Sequence, residues 1–97
     1  MRTQLNLSSN QLCGLDQFGN GTYTTEGITA IADALKVTAS VTKILVGGNR
    51  LRDEGTIILC DALRESTVSK VEELSLYRND IGPDGAKAIA ALCTVCA

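Results

Sequence analysis

The sequence predicts an α/β solenoid, with parallel strands along one side and helices along the other, repeating about every 28–30 residues. Three observations predict it. Three segments align on an asparagine preceded by alternating aliphatic residues. Each is followed by a second segment with apolar residues at helical spacing. The offset between the two halves is held, with Gly55 six positions after Asn49 and Gly85 six positions after Asn79. One such segment alone would be a weak signal; three in matching register mark an internal repeat.

The strand halves come first in each repeat. Leu5-Asn6-Leu7-Ser8-Ser9-Asn10-Gln11-Leu12 opens the chain. Val41-Thr42-Lys43-Ile44-Leu45-Val46-Gly47-Gly48-Asn49-Arg50-Leu51 and Val71-Glu72-Glu73-Leu74-Ser75-Leu76-Tyr77-Arg78-Asn79-Asp80-Ile81 repeat it. All follow L-x-x-L-x-L-x-x-N-x-L with aliphatic replacements, the one misfit being Arg2 at the first position. Apolar residues two apart belong to a strand with one buried face, which assigns Leu5, Leu7, Ile44, Val46, Leu74 and Leu76 to the core.

The helical halves follow. Ile28, Ile31, Ala32 and Leu35 recur at 3–4 spacing, as an amphipathic helix of about ten residues requires. Glu54-Gly55 and Asp84-Gly85 open the second and third copies of that pattern, as Glu26-Gly27 opens the first. An acid at each start suits the positive end of a helix dipole. Pro83, the only proline, fits the first turn of the third helix.

From Asn10 to Gly27 the offset is seventeen, so the first repeat carries an eleven-residue insertion, 13–23. It holds three glycines, which mark an irregular loop, and two of the three aromatics, Phe18 and Tyr23. Those rings are expected to fold back over the first repeat or to touch a partner. Asn20-Gly21-Thr22 and Asn6-Leu7-Ser8 match a glycosylation acceptor but read as chance matches without a secretory signal. The expected organisation is one domain, 1–97, with repeats at 2–40, 41–70 and 71–97.

One βα unit cannot bury its own apolar face, so stacked units share a continuous core. Helices are wider than the strand spacing of about 4.8 Å, so the stack should curve with strands inside. Asn10, Asn49 and Asn79 then form a column at the strand exits. Their amides can pair backbone groups that the bend would otherwise leave unsatisfied, and their expected role is structural.

These motifs resemble the leucine-rich repeats of ribonuclease-inhibitor-like proteins. The resemblance rests on the L-x-x-L-x-L-x-x-N-x-L halves and the G-x-x-x-I/L-x-x-x-L/A helical halves, and covers nearly the whole chain. It implies a right-handed solenoid shaped as a short horseshoe, an intracellular setting, and binding to other proteins through the concave strand face. The chain departs from that family in having about three repeats, no evident capping repeats, and the 13–23 insertion.

Composition narrows the functions. The formal charge is −2, from 9 Lys+Arg against 11 Asp+Glu. That argues against a nucleic-acid binder, which needs a positive face. The chain has no His, so the commonest general base and metal ligand are missing. No run approaches the roughly 18 apolar residues of a membrane span, and Met1-Arg2-Thr3-Gln4 lacks a signal-peptide core. The expected compartment is intracellular, cytoplasmic in the first instance. Of the four cysteines, Cys93 and Cys96 form a C-x-x-C at the end of the third helical half. A zinc site wants four ligands, and Cys13 and Cys60 stand alone, so Cys60 and Cys93 read as small core residues.

Alternation also assigns the outward positions. They run in rows: Gln4, Lys43, Glu73; then Asn6, Leu45, Ser75; then Ser8, Gly47, Tyr77; and at the rim Ser9, Gly48, Arg78. Lys43 and Glu73 are expected to pair across strands. Tyr77 and Arg78 are the residue types enriched at binding hot spots, and Leu45 is an apolar residue in an outward row. Lys43, Leu45, Glu73, Ser75, Tyr77 and Arg78 are therefore the candidate partner-binding residues. No catalytic constellation and no cofactor are expected. The leading expectation is a non-enzymatic protein-interaction module. The alternative is a structural subunit or fragment packed among neighbouring subunits through its open solenoid ends. A GTPase-activating role, known within the resembling family, has no candidate arginine here, and fold alone does not transfer function.

Overall fold

The structure is a computed structural model and describes residues 3–15 and 20–95. Strands and helices alternate: β1 (Thr3–Asn6), α1 (Glu26–Lys36), β2 (Val41–Leu45), α2 (Arg52–Glu65), β3 (Glu73–Ser75) and α3 (Pro83–Val95). The sheet order is β1-β2-β3, and both pairings are parallel. Gln4, Lys43 and Glu73 share one rung, Leu5, Ile44 and Leu74 the next, and Asn6, Leu45 and Ser75 the third. This is the α/β architecture that the repeat pattern predicts. Each helix returns the chain to the same end of the sheet, so every new strand runs parallel to the last.

The core lies between sheet and helices. Ile44, Val46, Leu51 and Leu59 of the middle repeat are fully buried, joined by Ile28, Leu35, Leu63 and Leu92. Leu5, Leu7, Leu74 and Leu76 pack against that cluster but remain half-buried. The alternation places all six residues inward. How completely each is covered depends on whether its repeat has a neighbour on both sides.

The helices run 11, 14 and 13 residues. Glu26, Asp53, Glu54 and Asp84 occupy first turns, and Lys36 and Arg64 last turns, in the sense the dipole favours. α2 begins at Arg52, two residues before the acid-glycine pair that marks its start in the sequence. Ser66 ends it: its hydroxyl donates to the Lys36 carbonyl at 2.7 Å and accepts from the N–H groups of Val68 and Ser69. That side chain links the exits of α1 and α2.

Cys13 and Leu15 are buried, and Leu15 bridges Gly21 in an antiparallel pair. Tyr23 packs against the core cluster that holds Cys13 and Ile28, and it also reaches forward, its hydroxyl donating to the Leu51 carbonyl of the second repeat. The Arg52 guanidinium sits 4.5 Å above the ring centre. A half-buried phenol needs a partner for its O–H, and the open carbonyl at the second asparagine turn supplies one. Arg2, Phe18, Cys96 and the side chain of Cys93 lie outside the described residues.

Candidate functional site

The strand face is held from beneath by the turns that end each strand. Asn79 accepts at Oδ1 from the N–H groups of Asn49 (3.0 Å) and Leu51 (3.3 Å). Its Nδ2 donates to the carbonyls of Val46, Leu76 and Tyr77. One repeat earlier, Asn49 accepts from the N–H groups of Asn10 (2.8 Å) and Leu12 (3.3 Å) and donates to Leu7, Val46 and Gly47. Each amide thus pairs its own turn with the turn before it. Asn49 and Asn79 are buried, at 0% and 1% exposure. Asn10, at the start of the column, is exposed and donates to the Ser8 carbonyl.

Residues on either side of each asparagine are left-handed: Ser9 and Gln11, Gly48 and Arg50, Arg78 and Asp80. For non-glycine residues this conformation costs about 1–2 kcal/mol each. Its recurrence in all three repeats makes it a property of the turn, enforced by the asparagine bonds, and not a strain peculiar to one site.

Above these turns lie the rows of outward residues. Lys43 Nζ approaches Glu73 Oε2 to 3.3 Å. Both side chains are substantially exposed, so the pair is worth about 0–1 kcal/mol and leaves both charges open to water. Leu45 is half-exposed, with Asn6 on one side and Ser75 on the other. Tyr77 is 59% exposed, yet one face of its ring lies directly over Gly47. A β-carbon at position 47 would overlap that ring, so glycine there makes room for the aromatic. Arg78 stands exposed at the rim beside Tyr77. Of the six sequence-derived candidates, Lys43, Leu45, Glu73 and Ser75 lie on the adjacent strands β2 and β3, with Lys43 and Glu73 paired, while Tyr77 and Arg78 lie in the turn after β3, with Tyr77 against Gly47.

Sequence reasoning missed three groups. Arg50 and Asp80 pair at 3.2 Å one position beyond the asparagines; their matching offsets in the repeat are the signal that could have found them. Asp53, in the first turn of α2, accepts from Gly82 N–H at 2.6 Å and Gly85 N–H at 3.1 Å, capping α3 from the adjacent repeat. Nothing local in the sequence marks that bond. The third is an open depression of about 380 Å³ between β3 and α3, lined by Leu63, Val71, Leu74, Leu76, Ile89 and Leu92 among others.

Chemically the described residues are quiet. They hold no group of three or more His, Cys, Asp or Glu placed to bind a metal ion. Cys13 and Cys60 are buried and not in a disulfide. Burial pushes the Cys13 thiol above its ordinary value, which outweighs the hydrogen bond with Tyr23 and the charge of Arg52. It is therefore a protonated, inert thiol near neutral pH. Burial, then the neighbouring Cys13, pushes the Tyr23 phenol up to about 12.

Strand, asparagine turn and helix, stacked with their amides bonding from one coil to the next, define a repeat module whose open face is a sheet. A family model described as a leucine-rich repeat matches residues 69–90, which span β3, the Asn79 turn and the first turns of α3. A leucine-rich repeat is therefore present in the chain. No curated protein matches it. No helix among the described residues is long and apolar enough to cross a membrane.

Proposed function

We propose that this chain is a non-catalytic protein-binding module whose partner seats on the strand face over Leu45, Tyr77 and Arg78, with Lys43, Glu73 and Ser75 beside them. The observation that supports it is a half-exposed leucine on β2 together with an exposed tyrosine and an exposed arginine in the turn that follows β3. Tyr and Arg are among the residue types in which binding energy concentrates. Leucine-rich repeats in general mediate protein–protein contacts, which favours the same reading. The helical half in every repeat, 11–14 residues long, supports placing the chain with the ribonuclease-inhibitor-like repeats. An intracellular setting goes with that assignment and suits the Cys13 and Cys60 thiols, which a reducing compartment would preserve.

The test is capture of binding partners by the tagged chain, with Tyr77→Ala and Arg78→Ala compared with Val37→Ala, an exposed position at the end of α1. The two strand-face variants should each lose most of the captured partner while Val37→Ala keeps it. Unchanged recovery with both would refute the strand face as the binding surface.

A further inference from the structure

The asparagine turns leave one asparagine of the chain without a role. Of the five, Asn6, Asn10, Asn49 and Asn79 are followed by Leu7, Gln11, Arg50 and Asp80, and only Asn20 is followed by glycine. The amides also differ in what holds them. Asn49 and Asn79 are buried, and each is bonded through both its oxygen and its nitrogen. Asn10 donates to the Ser8 carbonyl, and Asn6 accepts from the Ser8 N–H. Asn20, Gly21 and Thr22 are all exposed, on the arm of the insertion that returns toward Tyr23.

The fold itself requires the glycine that follows Asn20. Leu15 and Gly21 form the antiparallel bridge at the neck of the insertion. Gly21 has φ 121°, and a β-carbon on it would overlap the Gly14 carbonyl oxygen. Gly14, with φ 82°, meets the Thr22 carbonyl oxygen in the same way. The two arms approach too closely for any side chain between them, and both backbones sit where glycine is favoured. The missing side chain has a chemical consequence. Nothing on Gly21 shields its own backbone nitrogen, which is the atom placed to close a five-membered ring on the Asn20 carboxamide carbon. Asparagine is already among the chemically labile residues.

We propose that Asn20 is a site of spontaneous covalent modification, which loses its amide through a cyclic imide with water as the only co-reactant and opens the neck of the insertion. The Gly21 nitrogen gives its proton to solvent hydroxide and bonds to Asn20 Cγ. The Cγ–Nδ2 bond breaks, and ammonia leaves with a proton taken from water. Water then opens the ring at one of its two carbonyls. Attack at Cγ yields an ordinary aspartate. Attack at the main-chain carbonyl yields an isoaspartyl link, in which the chain runs through Cγ. Either product makes the formal charge of −2 one unit more negative. The isoaspartyl link also adds one backbone bond between residues 20 and 21, beside a neck whose arms already touch. The Leu15–Gly21 bridge then loses its register, while the turns held by Asn49 and Asn79 stay closed. The site is independent of the strand-face reading.

The test holds the full 97-residue chain at mildly alkaline pH and body temperature for about ten half-lives of a synthetic peptide covering residues 14–25. Anion exchange separates the acidic form, and peptide mapping by mass spectrometry locates the new acid. Most of the folded chain should convert, at Asn20 before any other asparagine. Asn20→Gln would need a ring one atom larger and should give no acidic form in that time. Asn20→Asp supplies a chain of matched charge with an ordinary link. Hydrogen exchange then reads the neck through the Thr24 N–H, which donates to the Cys13 carbonyl at 2.9 Å. It should exchange about tenfold faster in the isoaspartyl form than in Asn20→Asp, with the N–H groups of Asn49 and Leu51 unchanged in both. A folded chain that keeps its Asn20 amide while the peptide converts overturns the proposal. So does an acid that appears first at another asparagine, or a Thr24 N–H that exchanges alike in the isoaspartyl form and Asn20→Asp.

Discussion

Replacing Asn79 with alanine removes one amide and strands specific backbone groups. Two of the three carbonyls keep a donor, Val46 from Asn49 Nδ2 and Tyr77 from Gly48 N–H, while the half-buried Leu76 loses the amide. The donors carry the loss. The N–H groups of Asn49 and Leu51 both end on Asn79 Oδ1, and both residues are at 0% exposure, where water does not reach them. A buried donor left without a partner costs about 1–3 kcal/mol, so Asn79→Ala should destabilise by roughly 2–6 kcal/mol. A chain of this length has in all about 5–15 kcal/mol of stability, so the variant should be marginal or unfolded. Asn10→Ala is the control. Among the described residues its amide donates to the Ser8 carbonyl, in an exposed hydrogen bond, and the loss should stay within about 0.5 kcal/mol. Asn49→Ala belongs between them, because the donors it strands, at Asn10 and Leu12, are only partly buried. Urea denaturation followed by far-UV circular dichroism measures all three at constant protein concentration. Equal losses at Asn10 and Asn79, or an Asn79→Ala protein as stable as wild type, would refute the reasoning that buried donors set the strength of the turn.

Three further outcomes follow from single side chains. Thr56 Oγ1 is buried without a hydrogen-bond partner among the described residues, so Thr56→Val, of nearly the same shape, should raise stability by about 1 kcal/mol; a loss of that size would mean the hydroxyl is satisfied. Asp53→Ala removes both bonds to the α3 start and should cost about 0.5–2 kcal/mol, the range for a lost helix cap, with hydrogen exchange accelerating first at the N–H groups of Gly82 and Gly85. Tyr23 holds its proton to about 12 in the folded chain against an ordinary 10.0. Its stabilisation is whole below pH 10 and is lost as pH climbs through 12, because the unfolded phenol ionises first. The tyrosinate absorbance that disappears in Tyr23→Phe should therefore have its midpoint near 12 in the native protein; a midpoint at 10 would refute burial as the cause.

Much of this molecule was legible as periodicity. Period two before each asparagine and 3–4 spacing after it are consequences of strand and helix geometry, and they identified six elements, their order and the inward residues. The rungs joining Lys43 to Glu73 and Leu45 to Ser75 followed from aligning the repeats. Other features had no local signal. Tyr23 bonds the Leu51 carbonyl across 28 positions, and Asp53 caps Gly82 across 29. Such pairs meet only when adjacent coils are stacked. Gly47 and Tyr77 are likewise 30 positions apart in sequence and in touch in space, which is why an outward glycine was found buried beneath a ring.

The sequence by itself determined the repeat: which residues turn inward, where the chain bends, and that one asparagine sits at each bend. These are near-neighbour properties, written in the spacing of apolar and polar side chains. Only the tertiary structure decided how fully each copy of the same pattern is covered. Ile44 and Val46 of the middle coil are sealed because they have a neighbour on both sides, while the equivalent strand residues Leu5, Leu7, Leu74 and Leu76 on the outer coils stay half-buried, because burial is made between coils and not within one.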